Sequence, residues 1–175
     1  IENYIDLKNL QMKQGYAFTS ETDTEVIAHA IDYAIKPSES LLKATQKAIK
    51  TLDGSYGIGV LSSKYPDQII AARKGSPLVI GIGDNGNYVA SDQMALLSVT
   101  DKFIFLEEGY IAEIKLDKIT IYDLNDNSVN ILNYQTPYLQ ANQGGLGINA
   151  NYKRANSKLL FGATVPVKQS HGHTL

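Results

Sequence analysis

The spacing of apolar residues changes character near residue 55. Before it, Val26, Ile27, Ala30, Ile31 and Ala34 recur at helical period, and Thr22 with Glu25 has capping-box spacing, which predicts a helix over about 23–35. Pro37 and Ser38 open a second helix, in which Leu41, Leu42, Thr45, Ala48, Ile49 and Leu52 repeat at the same period until Gly54 stops it. A shorter helix over 5–14 is expected upstream, capped by Asn3 with Asp6 in box spacing and ended by Gly15. YAFT at 16–19 reads as a short strand. After Ser55 the segments SYGIGVLSS, QIIAAR, PLVIGI, NYVAS, KFIFLE, YIAEIK and KITIYDL are short, rich in Ile, Val and Tyr, and separated by Gly, Asp, Asn and Pro. One helical piece, DQMALLS at 92–98, interrupts them. Connections this short cannot house a parallel crossover, so most of these strands should be antiparallel neighbours. The expected class is α+β, with two helices in series layered on antiparallel sheet.

One stretch competes with this picture. In PLVIGIGDNGNYVASD, Gly81, Gly83 and Gly86 have the spacing G-x-G-x-x-G, and Glu107 and Glu108 follow about 20 residues later. A dinucleotide fingerprint needs a helix to begin at its last glycine, so that free N–H groups and the positive dipole end face the pyrophosphate. Here Gly86 precedes Asn87-Tyr88-Val89-Ala90, a strand former, and a helix starting later would bring Asp92 against the phosphate. Asn85-Gly86 between apolar strands is a hairpin signal instead. PLVIGI therefore turns at Asp84-Asn85-Gly86 and returns as NYVAS, and a second hairpin is expected at Glu107-Glu108-Gly109, joining KFIFL to YIAEIK.

Composition narrows the options further. The chain has 175 residues, 43% of them hydrophobic, enough for one domain with a core. No apolar run approaches the roughly 18–20 residues that span a bilayer, and Ile1-Glu2-Asn3-Tyr4 does not start a signal peptide, so no membrane partner is expected. The missing Met suggests that sequence precedes Ile1. The absence of cysteine excludes disulfides, thiolate metal sites and a thiol nucleophile within the chain, and suits the reducing cytoplasm. All 18 acidic residues lie at or before Asp126 with 12 of the 16 basic ones, which leaves Lys153, Arg154, Lys158 and Lys168 beyond. The net charge is thus −6 before that break and +4 after it. Residues 1–130 are expected to form a domain, and 131–175, rich in Asn, Gln and Gly, a disordered basic tail. Four cations without clustered arginines are a poor nucleic-acid footprint, so no nucleic-acid partner is expected.

Several stretches together carry a family resemblance. AARKGSPLVIG (71–81), ASD (90–92) before a short helix, FIFLEEGYIAEI (103–114), and upstream IENYIDLK and GYAFTSETDTEVIAHAI, in that order, resemble the glucosamine-6-phosphate synthase (glutamine–fructose-6-phosphate aminotransferase) family over about residues 1–125. The resemblance implies part of a class II glutamine amidotransferase domain with the Ntn-hydrolase fold, a layered sandwich of antiparallel sheets and helices. In that family an N-terminal cysteine thiolate attacks the glutamine amide with its own α-amino group as base. The ammonia released passes to a sugar-isomerase half that makes glucosamine 6-phosphate. Family members also carry an oxyanion-stabilising Asn-Gly just before the segment matching IENY. This chain has neither that pair, nor a cysteine, nor the isomerase half. It therefore resembles the later part of a glutaminase domain, inactive by itself. Its implied partners are glutamine, the missing N-terminal half and the isomerase half of a homodimeric parent. No cofactor or metal is implied.

The resemblance carries over one site residue. In SETDTE the family's aspartate matches Asp23, expected to bind the α-ammonium of glutamine through a charge-assisted hydrogen bond. Asp23 also favours the first turn of its helix through the dipole, by a few tenths to about 1 kcal/mol. His29, between apolar neighbours on the helix 23–35, reads as a packed or rim histidine rather than a base. His171 and His173 lack a third metal ligand nearby. Arg73 reads as a structural arginine at a strand end rather than a phosphate binder. The alternative is a non-catalytic binding or regulatory module on an amidotransferase scaffold, with the basic tail as its arm.

Overall fold

The structure is a computed structural model that describes residues 1–35, 37, 39–130 and 135–137. Three α-helices precede a run of strands: α1 (Tyr4–Lys13), α2 (Glu25–Ala34) and α3 (Leu41–Ile49). The strands are β1 (Tyr56–Ser62), β2 (Tyr65–Lys74), β3 (Val79–Gly83), β4 (Gly86–Ala90), β5 (Lys102–Phe105), β6 (Ile111–Lys115), β7 (Ile119–Tyr122), β8 (Ser128–Val129) and β9 (Gln135–Pro137). The piece expected at 92–98 is a 3₁₀ turn, Gln93–Leu96, in which the Met94 N–H donates to the side chain of the capping residue Asp92.

The strands form two sheets, ordered β1-β2-β6-β7-β8 and β4-β3-β5-β9, and every strand pair is antiparallel. Burial shows how they stack. On β2, Ile70 and Ala72 face α2 and α3 together with Ile58 and Ile111, whereas Ile69 and Ala71 face the second sheet. That sheet answers with Leu78, Ile80, Val89, Ile104 and Leu106. Because both faces of β2 are covered, IIAA reads as one unbroken apolar run instead of alternating. The outer face of the second sheet buries Val79, Ala90 and Phe103 under Leu96 of the 3₁₀ turn. The layers therefore run helices, sheet, sheet, 3₁₀ turn.

α3 starts at the capping residue Ser40, whose hydroxyl accepts from the Lys43 N–H, three residues past the expected opening at Pro37. Ser38 lies outside the described residues. The α3 face carrying Leu41, Leu42, Thr45 and Ala48 is buried as its period predicts. Asn3 flanks α1 but does not cap it. Its side chain donates to the Thr51 carbonyl and accepts from the Asp53 N–H, tying the start of the chain to the end of α3.

Two local expectations are corrected. YAFT is not a strand: it has no backbone partner strand, and Phe18 instead packs edge-on against His29. The turn Glu107–Gly109 is not a hairpin either. β5 pairs with β3 and β9 in one sheet, and β6 with β2 and β7 in the other, so this turn carries the chain between layers. Gly75-Ser76-Pro77 makes the same transfer between β2 and β3. The hairpin at Asp84-Asn85-Gly86 is present, with Gly83 opposite Gly86 and the latter at φ 149°, where L side chains are strained. Of the region expected as a tail, 131–134 and 138–175 lie outside the described residues. The backbone of 135–137 pairs with β5 through Lys102 opposite Pro137 and Ile104 opposite Gln135.

Candidate functional site

Asp23 lies in the turn that feeds α2, two residues before its first helical residue. Its Oδ2 accepts a hydrogen bond from the nitrogen of Ile1, whose side chain is almost fully buried, while the Asp23 side chain is 40% exposed. A cavity of about 90 Å³ opens beside this pair, lined also by Thr24, Ser55, Tyr56, Gly57 and Ser76. A pocket for a whole small ligand is typically a few hundred Å³.

The turn before Asp23 is held by Glu25. One carboxylate oxygen accepts from the Thr19 N–H at 2.9 Å, the other from the Ser20 N–H at 2.8 Å and from the Ser20 hydroxyl. Thr22 and Glu25 thus have box spacing without forming a capping box: Glu25 reaches further back along the chain, and Thr22 instead accepts from the Thr24 N–H. These bonds, the Ser20 hydroxyl foremost, hold the Glu25 carboxyl at about 2, well below its ordinary 4.5, against an opposing effect of burial. A depressed carboxyl contributes stability that is fully present above about pH 4.5 and lost as pH falls through about 2. Melting curves of the native chain and Glu25→Gln at pH 7, 4 and 2.5 should therefore converge toward the most acidic point. A constant gap between them would contradict this role.

His29 is packed, as its place on the helix suggests. Its ring lies between Tyr16 (centroids 4.7 Å apart) and Phe18 (4.6 Å), with Nε2 3.6 Å from Glu25. The Tyr16 hydroxyl donates to Asp32, and burial followed by that contact pushes its phenol up to about 12. Arg73 is structural: its guanidinium donates to the Leu106 carbonyl at 2.9 Å and to Glu108 at 3.1 Å. His171 and His173 lie outside the described residues. Sequence reasoning named Asp23 but missed Ser55, Tyr56 and Ser76. They come from separate segments and share no motif, so only the packing of the 75–77 crossover against the start of β1 reveals them. Burial, then the charge of Glu108, raises the Tyr56 phenol above its ordinary value.

Residues 1–98 match the family model of the glutamine amidotransferase domain. The chain belongs to that family. Over 127 residues this amidotransferase domain is 54% identical to glutamine–fructose-6-phosphate aminotransferase (isomerizing) of Haemophilus influenzae, covering 73% of this chain and 21% of that protein. It is 46% identical over 152 residues to the Escherichia coli protein of the same name, covering 87% and 25%. The chain thus spans about a fifth to a quarter of the length of these relatives. Among solved structures it is similar, at a TM-score of 0.59 and 25% identity, to a glutamine phosphoribosylpyrophosphate amidotransferase from B. subtilis in complex with ADP and GMP. That match covers 72% of this chain and 28% of the other. The amidotransferase domain is accordingly α+β, a partial Ntn-hydrolase-like sandwich. No helix among the described residues is long and apolar enough to cross a membrane.

Proposed function

We propose that this chain is the part of a glutaminase domain that grips the charged end of glutamine, within an enzyme that uses glutamine's ammonia to make glucosamine 6-phosphate. The observation that carries the reading is the carboxylate of Asp23, which is 40% exposed at the edge of a small cavity also lined by Thr24, Ser55 and Ser76. A carboxylate there separates glutamine from neutral amides, because a charge-assisted bond to an ammonium is roughly twice as strong as one between neutral groups. Thr24, Ser55 and Ser76 line the same cavity and offer hydroxyls to the remaining polar atoms.

Cleavage itself needs a nucleophile, which the resemblance assigns to a cysteine thiolate. The chain has no cysteine, so the bond-breaking step belongs to residues outside it. The partners under this reading are glutamine, the polypeptide that carries the thiolate, and the isomerase half of a dimeric cytoplasmic parent. Purified 1–175 incubated with L-glutamine is expected to release no glutamate or ammonia above the uncatalysed rate, because loss of a nucleophile removes nearly all catalysis beyond binding. Sustained glutamate release in a coupled dehydrogenase assay would overturn this division of labour.

A further inference from the structure

The Glu108 side chain is 59% exposed, yet both of its carboxylate oxygens are bonded. One oxygen accepts from the Gly75 N–H at 2.8 Å and the other from Arg73 Nη2 at 3.1 Å, while Arg73 Nη1 reaches the Leu106 carbonyl. Backbone bonds reinforce the same junction: the Gly109 N–H donates to the Arg73 carbonyl, and the Arg73 N–H to the Tyr110 carbonyl. The two crossovers between sheets, 75–77 and 107–109, are therefore bound into one unit.

The first of these crossovers is a wall of the cavity. Gly75 has φ 74°, and a Cβ there would lie only 2.2 Å from Ser55 Oγ, so the glycine lets the crossover press onto Ser55. A Cβ on Gly57 would meet the Pro77 carbonyl at 3.3 Å and Ser76 at 3.6 Å. Ser55, Gly57 and Ser76 face the same cavity as Asp23. Glycine reaches this conformation without strain but with wide freedom, so the position of the crossover depends on its bonds. Those from Glu108 hold both Gly75 and Arg73.

We propose that Glu108 is a positioning residue for glutamine: through Gly75 and Arg73 it sets the Gly75–Ser76 wall against Ser55, and so the distance between that wall and Asp23. The inference rests on the glutamine reading above. Glu108 touches no ligand, so its loss should alter affinity through the wall rather than remove a contact.

The test uses the whole chain, with L-glutamine titrated by calorimetry and amide exchange followed by NMR. Glu108→Ala should weaken glutamine binding roughly three- to tenfold, a range set by charge-assisted bonds at an exposed carboxylate. It should also speed exchange at the Gly75 amide, with the melting temperature nearly unchanged. Glu108→Gln, which keeps an acceptor for the Gly75 N–H, should recover part of both losses. Glu107→Ala, the neighbouring exposed acid, should change neither. If Asp23→Asn weakens binding but Glu108→Ala does not, or if Gly75 exchange stays as in the native chain, the positioning role is overturned while the glutamine reading stands. If the native chain shows no glutamine binding that Asp23→Asn removes, both fall together.

Discussion

Replacing Asp23 with asparagine should lower the affinity of the chain for L-glutamine by about tenfold or more, since a hydrogen bond to a charged group contributes roughly 1.5–3 kcal/mol before solvent screening. The partial exposure of the carboxylate places the effect toward the lower end of that range. Asparagine keeps the shape and one acceptor but removes the charge, so the loss measures the electrostatic part of recognition. The same variant should bind γ-aminobutyramide, which lacks the α-carboxylate but keeps a cationic amine, no better than glutamine. Unchanged glutamine affinity in Asp23→Asn would rule out Asp23 as the ammonium site.

The largest effect on stability is expected from Phe103→Ala. Phe103 is fully buried on the outer face of the second sheet, packed with Val79, Ala90 and Leu96. Truncating a buried Phe to Ala typically costs about 3–5 kcal/mol, because the cavity left behind relaxes only in part. Phe105, two residues along the same strand and so on the same face, is 42% exposed and should cost about 1 kcal/mol when truncated. Denaturant midpoints of the two variants test whether the 3₁₀ turn covers one aromatic and leaves the other open. Equal losses would mean that the outer face is packed differently.

How far the sequence reaches is clearest at particular residues. The helical periods of Val26–Ala34 and Leu41–Leu52 mark the buried faces of α2 and α3, because residues three and four apart must share one side of a helix. Short connections exclude parallel crossovers, and every observed strand pair is antiparallel. The glycines of PLVIGIGDNG form a hairpin as expected, since the residues after Gly86 favour a strand.

The misreadings share a cause. A strand requires a partner for its backbone, and YAFT has the composition of a strand without that partner. The Thr19 and Ser20 N–H groups go to the Glu25 carboxylate instead. Likewise KFIFL and YIAEIK flank a turn that suits a hairpin, but β2 pairs with β6 through Ala71 opposite Ala112, and β5 lies beside β3 through Ile80 opposite Ile104. A short turn can join strands within one sheet or pass between stacked sheets, and local chemistry is much the same in both.

The site divides along the same line. Of the residues lining the cavity, the family resemblance of SETDTE singled out Asp23. The cavity wall was not legible: Ser55 and Ser76 are 21 positions apart and meet only where Gly75 folds onto the start of β1. By itself the chain's order of residues determined periodicity, element type and the family, all properties of neighbours along the backbone. Which strands share a sheet, and which hydroxyls stand beside the aspartate, depends on distant groups competing for the same hydrogen bonds and buried area. Only the assembled fold resolves that competition.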